Sequence, residues 1–205
     1  MLKIISAVSI TFLLAAVSPA ADWTSILPDA SLTGWTRVPI PGSSVLKPYN
    51  QWTLDGDELV CRGDGERDWL RFDEVLGDFV LRVEWNATAR DGKYNSGVGV
   101  RLSPYVEIWH QAQTTPDGGY LFGNTFRNGY LERVNLKKEM SENRVKPAGE
   151  WNLYEIRCQG DTIELSVNGK VVNTWKGVEV LRGHIGLEAE GYKIRFRNIQ
   201  LKRLD

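Results

Sequence analysis

The stretch EWNLYEIRCQGDTIELSVNGKVVNTW, residues 150–175, decides the fold. Apolar and polar residues alternate along it with a period of two, which predicts β-strands that bury one face. The dipeptide Asn168-Gly169 separates two such strands and is the sequence that tight two-residue hairpins prefer. Because turns of this kind join antiparallel neighbours, the stretch predicts an antiparallel sheet.

The same alternation recurs along most of the chain. It covers residues 79–86, 97–102 and 106–111, and Asp55-Gly56 supplies a further turn. The pattern amounts to roughly a dozen short strands and gives no convincing helix. It therefore favours an all-β fold, a two-sheet antiparallel β-sandwich.

The N-terminal residues have the composition of a signal peptide. Lys3 precedes an apolar run over residues 4–17, and small residues follow at 18–21. We expect residues 1–21 to be removed on export and residues 22–205 to form a single β-sandwich domain, in the periplasm or outside the cell. The apolar run is short for a membrane span and no second long one follows, so we expect no transmembrane segment in the mature chain.

Composition excludes some partners and leaves the cysteines open. A net charge of −1, with 25% charged residues, gives no indication of a nucleic-acid partner. Export permits a disulfide between Cys61 and Cys158. Both lie on the apolar side of their strand patterns, however, and two buried free thiols fit equally well. The sequence does not indicate an oligomeric state.

Residues 114–150 interrupt the alternation. A long irregular connection inside a compact domain is unusual and often functional. We expect either a lid or wall over a binding surface, or a solvated excursion with a short helix near residues 135–143.

The polar face of the central strands holds the candidate sugar-binding residues. These are Glu84, Arg101, Glu107, Trp109 and Gln111. Guanidinium and carboxylate groups can bind sugar hydroxyls, and an indole ring can stack on a pyranose. A solvated sheet face with ordinary cross-strand ion pairs fits the same pattern.

Several short motifs, taken in order, resemble the 3-keto-disaccharide hydrolase domain family. They lie at residues 32–35, 69–71, 77–84, 95–98, 107–108, 147–158 and 196–199. The resemblance runs from about Trp23 to Leu204, nearly the whole mature chain. It implies a concanavalin A-like jelly roll of a kind found in exported bacterial proteins.

The resemblance also implies a set of sugar-facing residues. Carried over to this chain they are Arg71, Glu84, Asn95, Ser96, Arg101, Glu107 and Glu190. The family usually has Gln directly after the Glu107-Ile108 pair, whereas this chain has Trp109 there and Gln111 two residues later.

The activity that the resemblance implies is cleavage of glycosides whose C3 hydroxyl has been oxidised to a ketone. The ketone acidifies the C2 hydrogen, so that one base can remove it and the C1 substituent can leave. We expect Glu107 to act as the base, Glu190 to protonate the leaving oxygen, and Arg101 to stabilise the enolate. Arg71 and Trp109 would bind the sugar.

Other functional interpretations stay open. We expect no cofactor, although His110 or His184 together with a glutamate leaves room for a divalent cation; two scattered histidines make a weak metal signal. A retaining glycosidase is less attractive, because the strand after Glu107 offers one carboxylate where that mechanism needs two. The substrate would be a small glycoside or an oligosaccharide. A non-catalytic lectin-like sugar-binding module and a structural module are the alternatives.

Overall fold

The computed structural model describes residues 22–40, 45–46 and 48–204, so the expected signal peptide lies outside the described part. Within that part, no helix is long and apolar enough to cross a lipid bilayer. The strands are β1 (Thr24–Ser25), β2 (Trp35–Pro39), β3 (Trp52–Asp55), β4 (Glu58–Cys61), β5 (Asp68–Phe72), β6 (Phe79–Ala87), β7 (Ser96–Leu102), β8 (Trp109–Thr114), β9 (Leu121–Arg127), β10 (Tyr130–Asn135), β11 (Asn152–Gln159), β12 (Thr162–Val167), β13 (Lys170–Trp175), β14 (His184–Ala189) and β15 (Ile194–Arg203).

The strands form two antiparallel sheets. The front sheet has the order β10-β9-β8-β7-β14-β5-β2. The back sheet has the order β13-β12-β11-β6-β15-β4-β3, with β1 paired to β15. The predicted all-β sandwich is therefore confirmed.

The core lies between the inner faces of the two sheets. On β6 of the back sheet, Phe79, Leu81 and Val83 are fully buried, and Ile185 and Leu187 on β14 of the front sheet are buried opposite them. Each large apolar side chain removed from water contributes about 1.5–3 kcal/mol. Every second residue on these strands thus packs between the sheets, and the residues in between face outward.

The predicted hairpin in residues 150–175 is confirmed. Asn168 and Gly169 have φ angles of 48° and 85°, the left-handed conformations that a tight two-residue turn requires. The Asn168 side chain fixes the turn further, because its Oδ1 accepts from the Leu153 N–H at 2.9 Å and its Nδ2 donates to the Arg144 carbonyl at 2.8 Å.

The two cysteines are free thiols buried in the core. Through Ile194 of β15, Cys61 aligns with Ala87 at one end of β6, whereas Cys158 pairs with Phe79 at the other end. That separation is about 26 Å along the strand, far beyond the reach of a disulfide. Burial raises the pKa of both thiols to about 12. The free-thiol alternative is correct.

The interrupted segment is regular over residues 121–135 and irregular, apart from one short turn, over residues 136–151. Strands β9 and β10 form a hairpin through Asn128-Gly129 and extend the front sheet. In place of the expected helix, a single 3-10 turn occupies Lys137–Glu139.

Candidate functional site

A cleft of about 600 Å³ lies on the outer face of the front sheet. Its lining combines carboxyls, amides, guanidiniums and aromatic rings from several strands. These residues are Ile40, Arg67, Trp69, Asn95, Glu107, Trp109, Gln111, Gln113, Tyr120, Phe122, Asn124, Leu131, Arg133, Glu188 and Glu190.

Glycines at the centre of the front sheet make room for the floor of this cleft. A Cβ on Gly97 would lie 2.0 Å from Gln111 Nε2, and a Cβ on Gly186 would lie 2.9 Å from the Trp69 ring. Real Cβ atoms do not approach other atoms so closely, so an alanine at either position would displace these side chains. The absence of a side chain at Gly97 lets Gln111 of β8 reach across β7.

A chain of side-chain amides crosses the floor. Gln111 Nε2 donates to Glu188 Oε2 at 2.8 Å and to Gln113 Oε1 at 2.9 Å. Gln113 Nε2 in turn donates to Asn95 Oδ1 at 2.6 Å. Among the described residues, Gln111 Oε1 and Asn95 Nδ2 have no hydrogen-bond partner. The cleft therefore offers one acceptor and one donor to a polar ligand.

Glu188 of β14 and Glu190, which follows the strand, lie next to each other in the cleft lining. Glu188 is only 6% exposed, and its burial raises its pKa well above the usual range. The charge of Glu190 and a hydrogen bond to it raise that pKa further, while Gln111 and Arg67 act in the opposite direction. Glu190 accepts a hydrogen bond from the Arg67 guanidinium, whose pKa it raises. The floor thus holds a carboxyl whose burial favours the protonated form, beside an ion-paired carboxylate.

Aromatic side chains form the wall above this floor. The Trp109 ring meets Phe122 of β9 edge to face, with centroids 4.9 Å apart, and Phe122 also contacts Tyr120 at 5.7 Å. The Arg133 guanidinium of β10 lies 4.5 Å from the centre of the Trp109 ring. Much of the wall is the β9–β10 hairpin, so the expected wall in residues 114–150 is present.

Five of the predicted site residues line the cleft: Asn95, Glu107, Trp109, Gln111 and Glu190. Glu107 is exposed at the rim, where it accepts a hydrogen bond from Ser103 Oγ at 3.1 Å. It precedes β8, whereas Glu190 follows β14, and both strands run antiparallel to β7. The two carboxylates therefore lie toward opposite ends of the cleft floor.

Arg101 does not face the cleft, and this prediction is corrected. A bulge in β7, where Arg101 has a φ angle of 49°, shifts the pairing with β14 and exchanges the two faces. Arg101 is consequently 0% exposed and donates to the Gly160 carbonyl at 2.7 Å and to Asp78 at 3.1 Å. Leu102 takes the outward position that alternation gave to Arg101.

Three other predicted residues lie outside the cleft. Glu84 is on the back sheet, ion-paired with Arg197 at 2.7 Å, because β6 belongs to the opposite layer. Ser96 points inward and donates to the Glu188 carbonyl at 2.7 Å. Arg71 faces outward from β5 but lines a separate cavity.

Both histidines have partners within the fold. His110 is buried on the core side of β8, hydrogen-bonded to Thr125 at 3.0 Å, and burial lowers its pKa to about 4. His184 hydrogen-bonds the Phe72 carbonyl at 2.9 Å. In the described part of the chain, no group of three His, Cys, Asp or Glu side chains could hold a metal ion.

Sequence reasoning missed Glu188, Gln113 and Arg67. Glu188 had a readable signal, because Gly186, Glu188 and Glu190 alternate with the buried Ile185 and Leu187. Two carboxylates spaced i, i+2 on one strand face are the arrangement that a retaining glycosidase would need and that the strand after Glu107 lacks.

The family model of the 3-keto-alpha-glucoside-1,2-lyase-like domain matches residues 22–202 of the chain. The chain belongs to this family. No curated protein matches it in sequence.

Several solved structures share the fold. Carbohydrate-binding module CBM66 from Bacillus subtilis superposes with a TM-score of 0.62 at 15% identity, over 83% of this chain and 96% of that one. The β-glucanase of Bacillus licheniformis gives a TM-score of 0.58 at 13% identity, over 92% and 100%. A β-1,3-1,4-glucanase from a mouse hindgut metagenome gives 0.55 at 13% identity, over 82% and 92%.

Membership of this family indicates a carbohydrate-active, hydrolase-like protein, and the solved structures show its jelly-roll fold. At these identities the solved structures show the fold alone, and the chemistry depends on the cleft itself.

Proposed function

We propose that the cleft binds a 3-keto-glycoside and cleaves it by removing the C2 proton and expelling the C1 substituent. The observation that carries this proposal is the buried carboxyl of Glu188 beside the ion-paired carboxylate of Glu190; burial raises the pKa of Glu188 and so favours its protonated form. Neighbouring carboxyls with different protonation states provide an acid and a base within one site.

The proton transfers can be assigned to these two residues. Glu190 takes the C2 proton, and the electron pair of the C2–H bond passes into an enolate with the C3 ketone. As the ketone re-forms, a C1–C2 double bond forms, the C1–O bond breaks, and Glu188 gives its proton to the leaving oxygen. The products are an unsaturated 3-keto sugar and a free alcohol; addition of water to the double bond would complete a net hydrolysis.

The hydrogen bond between the two carboxyls resets the site. After the reaction Glu190 is protonated and Glu188 is ionised, so one proton passing between them restores the starting state. Glu188 favours that return because its burial opposes ionisation.

Arg67 takes the role that the sequence suggested for Arg101. Its guanidinium is bound to Glu190 at the edge of the cleft, close to the proposed base, where it can stabilise charge on the enolate oxygen. The donor Asn95 Nδ2 and the acceptor Gln111 Oε1 can bind sugar hydroxyls, and the wall around Trp109 can pack against the ring.

A lectin-like module is the second candidate, since the fold is shared with a carbohydrate-binding module. Sugar binding alone, however, does not need a carboxyl held out of water beside a second carboxyl. Burial of such a group costs folding free energy and is typical of sites that move protons.

The test compares a glycoside with its 3-keto counterpart, incubated separately with the protein, while release of the leaving group is followed. We expect turnover of the keto form only. Saturable binding without turnover would establish the lectin-like alternative, and turnover of the unoxidised glycoside would contradict the C2 mechanism.

Near-isosteric variants separate the candidate bases. Glu190→Gln should lower kcat by about 10²–10⁴-fold, whereas Glu107→Gln, at the far end of the floor, should lower it by less than about tenfold. The reverse order would restore Glu107 as the base and remove the assignment to Glu190.

A further inference from the structure

The cleft continues past the two carboxyls toward the β9–β10 hairpin. Glu190 is bound to Arg67, which precedes β5, and so lies on the β5 side of Glu188. On the other side, Glu188 accepts a hydrogen bond from Gln111 of β8 at 2.8 Å. Gln111 is in turn the direct cross-strand partner of Phe122 on β9, and both line the cleft. Across the sheet, the order is therefore Arg67, Glu190, Glu188, Gln111 and Phe122.

This order gives the C1 substituent of the substrate a direction. In the proposed mechanism, Glu190 takes the proton from C2 and Glu188 protonates the oxygen on C1. The substituent that leaves with this oxygen would therefore extend from Glu188 over Gln111 toward Phe122. Directly paired residues on one face of a sheet have Cβ atoms about 4.5–5.5 Å apart, so a ring attached to that oxygen can reach the Phe122 ring.

The wall toward which the substituent points carries exposed apolar side chains. Phe122 meets Trp109 edge to face and lies 5.7 Å from the Tyr120 ring. Farther out, Leu131 is 60% exposed within the cleft lining, and its cross-strand partner Phe126 is 42% exposed. An apolar ligand would remove such surface from water, whereas a sugar would place hydroxyls against groups that cannot hydrogen-bond to them.

A cation in the wall favours an aromatic ring over an aliphatic one. The Arg133 guanidinium lies 4.5 Å from the centre of the Trp109 ring and 5.2 Å from the centre of the Phe122 ring. It donates to Asn124 Oδ1 at 3.2 Å, and among the described residues it has no carboxylate partner. An aromatic ring placed against Phe122 would gain a cation–π contact with Arg133 that an aliphatic ring lacks.

We propose that the wall binds an aromatic aglycone, so that the preferred substrate is a 3-keto-glycoside whose C1 substituent carries an aryl ring. This inference rests on the proposed function and deepens it. Contacts between the aryl ring and the wall, with Phe122 at their centre, hold the leaving oxygen beside Glu188 and promote the reaction at the sugar.

The test compares the benzyl and methyl 3-keto-glycosides of the same sugar. Benzyl alcohol and methanol are similarly acidic, so a difference in cleavage reports on binding of the aryl ring and not on the leaving group. The wild-type protein should favour the benzyl glycoside in kcat/KM.

Two variants probe the wall. Phe122→Ala should reduce the benzyl preference about tenfold, as expected for the loss of one ring contact. Arg133→Gln, at an exposed position, should reduce it about two- to fivefold through loss of the cation–π contact. Tyr130→Ala is the matched control, because Tyr130 belongs to the same hairpin, is 78% exposed and does not line the cleft.

The possible results distinguish this proposal from the proposed function. Equal cleavage of the two glycosides by the wild type, or an unchanged preference in Phe122→Ala, would overturn the aglycone site and leave the proposed function standing. An unchanged preference in Arg133→Gln would overturn its aromatic character. A 3-keto-disaccharide preferred over the benzyl glycoside, with an advantage that depends on Phe122, would overturn the assignment to an aryl ring.

If the wild type cleaves neither glycoside, the proposed function fails. Calorimetric binding of the benzyl 3-keto-glycoside then decides the aglycone site, which requires weaker binding in Phe122→Ala and is refuted by equal binding.

Discussion

Glu188 is neutral at a pH where an exposed glutamate would be ionised, and this has a measurable effect on folding. Because its pKa in the folded protein is raised above the ordinary glutamate value of 4.5, the folded state holds a proton that the unfolded state loses. This contribution to stability is complete below pH 4.5 and is lost as pH rises through the folded pKa.

Glu188→Gln removes this dependence. The amide matches the neutral carboxyl in size, so the variant should equal the wild type in unfolding free energy at low pH and exceed it increasingly as pH rises. Urea unfolding across a pH series would measure the difference. A variant less stable than the wild type at every pH would mean that Glu188 is ionised and well paired in the folded state.

Arg101 is predicted to act on stability and not on chemistry. Arg101→Met leaves the Gly160 carbonyl without its donor and breaks the ion pair with Asp78, and should cost about 1–3 kcal/mol of unfolding free energy. Arg82→Met is a suitable control. The ion pair of Arg82 with Glu155 is largely solvated, with the two side chains 42% and 36% exposed, so its loss should cost less than about 1 kcal/mol. Equal losses in the two variants, measured by denaturant unfolding, would contradict the buried role of Arg101.

The position of Arg101 also shows where sequence reasoning ended. Strict alternation over residues 97–102 gave it an outward face, but one bulge reverses the faces from Arg101 onward. The positive-φ position of this bulge is an arginine and not a residue typical of turns, so the sequence gives no sign of the bulge. Trp109 and Gln111, on the regular strand β8, were placed correctly by the same reasoning.

At the scale of the element, a glycine of β7 lets side chains of its two neighbours, β8 and β14, contact each other across the strand. The hydrogen bond between Gln111 and Glu188 passes over Gly97, where a Cβ would collide with the Gln111 amide. Gly97→Ala should therefore displace Gln111 and remove a donor that lowers the pKa of Glu188.

The expected result of Gly97→Ala is a fall in turnover of the 3-keto-glycoside, with the alkaline limb of its pH profile moved to higher pH. Gly56→Ala, in the β3–β4 turn of the back sheet, is a control for backbone strain without a clash: its φ angle is 61°, but a Cβ there meets nothing within 4 Å. An unaltered pH profile in Gly97→Ala would show that the amide chain does not influence the carboxyl pair.

The β9–β10 hairpin could be predicted only in part. Its turn, Asn128-Gly129, is a strong hairpin signal, yet the flanking strands lack a clear apolar alternation. Their outward positions include Phe122 and Leu131, which line the cleft, so the strands are apolar on the side where a solvated face would be polar. The apolar residues that line the cleft therefore hide the alternation by which these two strands would be recognised.

At the scale of the molecule, alternation and turn residues were sufficient for the sandwich but not for the assignment of strands to sheets. Glu84 and Glu190 both lie on outward faces, and only the strand order shows that they belong to opposite layers. For the same reason, the sequence left open whether Cys61 and Cys158 form a disulfide. The signal peptide in residues 1–21 and export of the protein stay predictions.

His110 should make the whole molecule sensitive to acid. Its pKa falls from the ordinary histidine value of 6.5 to about 4 in the folded protein, because burial disfavours the charged ring and Arg101 adds to the effect. The unfolded chain therefore binds a proton that the folded chain excludes, and about 3 kcal/mol of stability is lost as pH falls from 6.5 to 4.

His110→Gln should lack that component of acid sensitivity. The unfolding free energies of both proteins would be measured near pH 7 and near pH 4. We expect the difference in free energy between wild type and variant to be smaller near pH 4. A constant difference would mean that His110 does not resist protonation in the folded state.

The central claim is that the C2–H bond breaks when the C1 substituent leaves. A 3-keto-glycoside carrying deuterium at C2, cleaved in ordinary water and analysed by mass spectrometry, tests it directly. We expect the sugar product to have lost the label, beyond the loss from the same labelled 3-keto sugar held in buffer for the same time. Full retention of deuterium in the cleaved sugar would show that the C2–H bond stays intact, and would contradict the account.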